Sequence, residues 1–244
     1  MMKKTVLAVV TVSMLGLAGC SAVHTAVAKR NLDVQTKMSE TIFLEPAAER
    51  TVYLQIRNTS TEQDLSLEPK LRQALQNKGM TISTNPDTAQ YWIQANVLSV
   101  GKMNLRDAEN TLISGYGAGA FGAAAAAGVV GYNSSSGGAA LGAGLVGALV
   151  GVAADAMVED TNYTMVTDLQ IAEKAPKGVT VTTDNIAMLK QGTSGGKVQT
   201  STAQGDRHKY QTRVVSNANQ VNLEFIDAKT ALEDQLSKSV AGIF

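Results

Sequence analysis

Cysteine occurs once in this chain, tryptophan once and histidine twice, and the 21 basic residues are matched by 21 acidic ones. A single cysteine permits no intramolecular disulfide, so the framework that staples many small secreted domains is excluded. His24 and His208 lie far apart in the sequence. They offer too few ligands for a histidine metal site and no convincing base for a serine nucleophile, and both read as solvated surface residues. The balanced charge excludes a basic, phosphate-seeking surface, and with it nucleic acid as the main partner.

A second absence is local. From Asn110 to Ala154 there is no Asp, Glu, Lys or Arg, and Gly and Ala dominate. Leu112 to Tyr132 reads as one helical arm, Asn133 to Gly138 as a polar turn, and Ala139 to Ala154 as a second arm. Gly115, Gly119, Ala123, Ala127 and Gly131 make a bare row in the first arm, and Ala143, Gly147 and Gly151 make one in the second. Bare rows let helix backbones approach closely, which is how helices associate in lipid. About 20 residues at about 1.5 Å rise cover a bilayer, so the block reads as a transmembrane helical hairpin. The same composition also suits a buried small-residue hairpin or a Gly-rich loop of a soluble protein. A spanning hairpin places Tyr132, Asn133, Ser134, Ser135 and Ser136 across the membrane from the domain, as a candidate recognition surface; either orientation is open.

Gly117-Ala118-Gly119-Ala120-Phe121-Gly122 fits the letters of a dinucleotide-binding loop, which needs a preceding strand, a following helix and a downstream acid, yet it runs into Ala123 to Ala127 with no acid until Asp155. The pairs Glu159-Asp160 and Glu233-Asp234 are sequence neighbours that point apart on a helix, so each reads as a solvated face. Phe244 stands where outer-membrane barrels end on an aromatic residue, but the alternating strands such a barrel needs are too few.

Outside the block the composition is that of a globular domain. Alternation marks strands at 32–38, 51–57, 91–100 and 163–171 and near 210–215, with a short one at 80–83. Ser66 caps a helix from Leu67 to Lys78 that Gly79 stops. Asn222 opens a C-terminal helix with Phe225, Ala228, Leu232, Leu236 and Val240 on one side, and residues 174–201 read as a long loop or hairpin. The expected fold class is an α/β (α+β) globular domain with an inserted Gly/Ala-rich transmembrane helical hairpin. The expected division is a leader at 1–19, a tether at 20–31, domain halves at 32–109 and 155–244, and the hairpin at 110–154.

The leader has a basic pair, Lys3-Lys4, an apolar run from Val6 to Leu17, and the end Leu17-Ala18-Gly19-Cys20. That end resembles the lipobox of bacterial lipoproteins. The resemblance implies cleavage between Gly19 and Cys20 and places covalent diacylglycerol and an N-acyl chain on Cys20, with Ser21 directing the protein to the outer membrane. Two or more acyl chains suffice for stable anchoring. No other cofactor and no metal is expected.

With the segments Leu32 to Leu44 and Val52 to Ser60 and the Gly/Ala block, the whole chain resembles the TraT family. The resemblance implies an outer-membrane lipoprotein, not an enzyme, that mediates surface exclusion in conjugation and raises complement resistance. It also implies contact with a donor-cell surface component. The small-residue rows need partners, which adds a cyclic homo-oligomer embedded in outer-membrane lipid. The other reading is an oligomeric envelope lipoprotein with a structural or pore-forming transport role.

Overall fold

A computed structural model describes residues 27–117, 159–191 and 195–244, with the backbone alone over 187–191 and 195–197. Its centre is a six-stranded sheet of order β1-β8-β5-β4-β2-β3. The strands are β1 (Asp33–Met38), β2 (Thr51–Asn58), β3 (Thr81–Ser83), β4 (Tyr91–Lys102), β5 (Asp160–Lys174) and β8 (Arg207–Val221). β2 runs parallel to β3 and β4. The pairs β1–β8, β8–β5 and β5–β4 are antiparallel. The parallel part is the β2–helix–β3 unit that the sequence announces together with the β2–β4 pairing; the rest is antiparallel.

One face of this sheet carries the core. α1 (Leu67–Asn77) and α3 (Phe225–Ala241) pack against each other and against it. Alternation along β5 turns Tyr163, Met165, Leu169 and Ile171 inward, where they meet Leu71 and Leu75 of α1 and Leu232, Leu236 and Val240 of α3. Burying a Leu or Ile side chain contributes about 1.5–3 kcal/mol, so this layer is the main source of stability. Ser66 does stand at the start of α1, but its hydroxyl makes no cap bond. Its backbone N–H donates to Glu233 Oε1 at 2.7 Å, and Lys70 Nζ lies 3.0 Å from Oε2 of the same carboxylate. Glu233 is therefore buried in the seam between the helices, correcting the expectation of a solvated acidic pair.

The opposite face is covered at one end only. α2 (Leu105–Ile113) lies there, with Ala108 against Val166 and Val215, and Leu98, Met103 and Leu112 around them. Asn104 caps it by accepting from the Asp107 N–H at 2.9 Å, while its Nδ2 donates to Asp107 Oδ2 at 2.6 Å.

This helix corrects the expected fold class. Residues 110–113, expected to open a membrane arm, are the last turn of α2 on the sheet. The chain then leaves helical geometry, since Gly115 has φ +74° and Gly117 φ +73°. Gly115 is thus a helix stop and belongs to no spanning row. Among the described residues no helix is long and apolar enough to cross a membrane. The described residues form a mainly β domain with three short helices, not an α/β domain with an inserted spanning hairpin. Gly119, Ala123, Ala127, Gly131, Ala143, Gly147 and Gly151 lie outside the described residues.

Beyond Lys174 and Arg207 the β5–β8 pair continues through the Ala175 N–H, which donates to Asp206 O at 2.8 Å. It gives way to the two-stranded ribbon β6 (Val181–Gln191) and β7 (Gly195–Gly205), paired antiparallel with each other. The segment read as a loop or hairpin is this ribbon.

Candidate functional site

The open part of the second sheet face is polar by construction. Every second residue of β2, β4, β5 and β8 points to it, and the register brings these residues into rows across four strands. One row is Arg57, Asn96, Asp168 and Arg213. The next is Gln55, Gln94, Gln170 and Gln211, and the one beyond is Tyr53, Trp92, Ala172 and Lys209.

The glutamine row is a continuous amide ladder. Gln211 Nε2 donates to Gln170 Oε1 at 2.7 Å, Gln170 Nε2 to Gln94 Oε1 at 2.6 Å, and Gln94 Nε2 to Gln55 Oε1 at 2.6 Å. All three bonds run in one direction, so the amide dipoles add and polarise one another.

The neighbouring row holds a buried ion pair. Arg213, fully excluded from solvent, donates from Nε to Asp168 Oδ1 at 2.8 Å and from Nη2 to Oδ2 at 3.1 Å. Its Nη1 donates to Ser114 Oγ at 3.0 Å, and the Gly117 N–H donates to Asp168 Oδ2 at 3.0 Å. The bidentate pair therefore holds the exit of α2 down on the sheet. Tyr116 follows; burial and the negative charge of Asp168 push its hydroxyl pKa up, against the opposing effect of the Gln211 amide.

Gln55, Arg57, Gln94, Asn96, Tyr116, Asp168 and Gln170 surround a cavity of about 350 Å³, open to solvent. At the far end of this face Arg207 stacks on Trp92, 4.2 Å from the ring centroid, and donates to the carbonyls of Pro86, Ala89 and Gln90. Burial pushes its pKa down.

Gly117, the first glycine of the loop-like run, borders this cavity, and Gln55 and Arg57 of the 52–60 segment line it. Gly19 and Cys20, and Tyr132, Asn133, Ser134, Ser135 and Ser136, lie outside the described residues. His208 is exposed. Among the described residues no cluster of three or more His, Cys, Asp or Glu side chains could hold a metal ion. Apart from Tyr116 and Gly117 after α2, the cavity residues are ordinary positions in three separate strands, β2, β4 and β5, and only strand register joins them.

The family model described as "Enterobacterial TraT complement resistance protein" matches residues 31–244. The chain belongs to the TraT family. An Escherichia coli protein named TraT complement resistance protein is 60% identical over 242 residues, 99% of both chains. The protein of that name from Escherichia coli strain K12 is 59% identical over 241 residues, 99% of this chain and 98% of the relative. One from Wigglesworthia glossinidia brevipalpis is 30% identical over 241 residues, 98% of this chain and 95% of its own length. The TraT match takes in every strand and helix of the domain, including the four strands of the ladder face.

Proposed function

We propose that this protein is an outer-membrane lipoprotein, acylated on Cys20, that confers complement resistance and surface exclusion by binding rather than catalysis. The observation that carries the reading is the chain-long similarity to proteins named for complement resistance. Lys3-Lys4, the apolar run and Leu17-Ala18-Gly19-Cys20 support the anchor. The open polar sheet face supports binding, because it presents a row of hydrogen-bonding amides to solvent.

The working form is a homo-oligomer on outer-membrane lipid that meets a surface component of the donor cell. The β6–β7 ribbon supports assembly. Among the described residues its strands pair only with each other. Ile186 is 71% exposed and Val198 67% exposed on it. A lone two-stranded ribbon is marginal in water, so packing against a second copy is its natural stabilisation.

The test is expression in a strain lacking the protein, with serum survival and plasmid uptake from donors as readouts. The native chain raises survival and lowers uptake, and Cys20→Ser loses both while the protein is still made. Unchanged serum killing with native protein in the envelope would overturn the reading. Conductance in planar bilayers would instead favour the structural or transport alternative.

A further inference from the structure

We infer that the cavity on the glutamine ladder is a binding site for an acidic saccharide. The inference rests on the unspent hydrogen-bonding capacity of the ladder. A glutamine side chain carries two donor hydrogens and two acceptor lone pairs. In the ladder Gln94 and Gln170 each spend one donor and accept one bond. Each therefore retains a donor and an acceptor. The rungs stand on neighbouring strands, about 4.8 Å apart, so the free groups form an alternating donor and acceptor array. Hydroxyl groups on a sugar ring are donors and acceptors at once and meet such an array without leaving a member unpaired.

Two further features fix the ligand class. The amide row is flanked on one side by Tyr116, which lines the cavity and is 40% exposed. An aromatic face takes the apolar C–H face of a sugar ring, and the tyrosine hydroxyl takes the polar edge. The charge is the second feature. Asp168 is neutralised by Arg213, whereas Arg57 is exposed and has no ion-pair partner among the described residues. Asn96 accepts at Oδ1 from the Thr59 hydroxyl, leaving its Nδ2 hydrogens for a ligand. Arg57, Asn96 and the terminal Gln55 Nε2, which donates to no group among the described residues, thus make a donor-rich wall with one uncompensated positive charge. That wall fits a carboxylate. A cavity of about 350 Å³ is the size of a small-ligand site and admits one or two sugar units.

The test uses the full acylated chain in detergent micelles and ligand-observed saturation-transfer NMR. The probes are N-acetylneuraminate, as borne by host glycoproteins, 3-deoxy-octulosonate, as borne by a bacterial envelope, and neutral galactose. At least one acidic sugar gives a saturable signal, and the stronger of the two identifies the source. Arg57→Gln weakens the acidic sugars about tenfold or more, as loss of a charge-assisted bond does, and leaves galactose unchanged. Gln94→Leu abolishes binding of every sugar, with the thermal midpoint as the check that the fold persists. No saturable signal from either acidic sugar overturns the inference, as does equal binding by native and Arg57→Gln protein. Competition-proof binding of an extended polar peptide in place of the sugars also overturns it.

Discussion

The two faces of the central sheet are made by the same strands and differ in almost everything else. On one, β5 contributes Met165, Leu169 and Ile171 to a core roofed by α1 and α3. On the other, the same strand contributes Asp168 and Gln170 to a polar surface that α2 covers only at one end. Each face carries one acid from β5, Glu173 buried and Asp168 half-buried, and the two are held differently. Asp168 has a bidentate arginine. Glu173, on the helix-covered side, has none; Tyr210 donates its hydroxyl to Oε2 at 3.3 Å and the Glu45 N–H donates to Oε1 at 3.2 Å. The apolar face supplies stability with little specificity. The polar face spends its contacts on positioning, because net gains from hydrogen bonds and ion pairs are small while the cost of breaking a buried one is large.

The largest expected effect comes from breaking the polar face where it is driest. Arg213→Met leaves Asp168 without its cation and releases the bonds to Ser114 and Thr111. Loss of one partner of a buried pair costs about 3–5 kcal/mol. That is as much as the roughly 2–5 kcal/mol expected for Leu232→Ala in the core. The two differ in kind. Urea unfolding monitored by circular dichroism gives the stabilities, and limited chymotryptic proteolysis after Tyr116 shows early cleavage at the α2 exit in Arg213→Met but not in Leu232→Ala. Equal protection of that exit in both variants would remove the ion pair from its proposed role.

Much of the first face was legible in the sequence and little of the second. Alternation located β2, β4 and β5, and the periodicity of Leu67, Leu71 and Leu75 located α1, because burial on one side imprints itself on local spacing. α2 was legible too, with Asn104 as cap and Leu105, Ala108 and Leu112 at helical spacing. It was missed because the charge-free run from Asn110 drew attention across its last turn. The ladder could not be read locally. Gln55, Gln94, Gln170 and Gln211 are each the unremarkable polar half of an alternating strand, and only the pairing of four strands makes them neighbours. Glu233 was misread for the same reason, since its partners Ser66 and Lys70 lie on another helix.

A second way to sharpen the contrast is pH. Burial pushes the Glu173 pKa above the ordinary 4.5, only partly offset by the bonds from Tyr210 and Glu45. The folded state then holds this proton more tightly than the unfolded chain does. Stability from this group is fully present below the unfolded value and is lost as pH rises through the folded one. Glu173→Gln removes the ionisation, so the variant has the higher melting temperature at pH 7, and the gap closes as pH falls toward 4.5. A variant melting below the native protein at pH 7 would show that the carboxylate is worth more ionised than its burial costs.

The smallest effect on stability belongs to the ladder, and this separates scaffold from binding surface most cleanly. Gln94→Leu deletes two rungs' bonds, to Gln55 and to Gln170. Each bond is worth about 0.5–1.5 kcal/mol net when nothing replaces it. Gln94 is only half-buried, and the cavity beside it is open to solvent. Water can therefore satisfy Gln55 Oε1 and Gln170 Nε2, and the added leucine contacts offset part of the loss. The expected destabilisation is about 1 kcal/mol or less, read from the urea midpoint at unchanged slope. A loss above about 3 kcal/mol would mean that the four amides act as one cooperative structural unit, and would move the ladder from the binding surface into the frame of the fold.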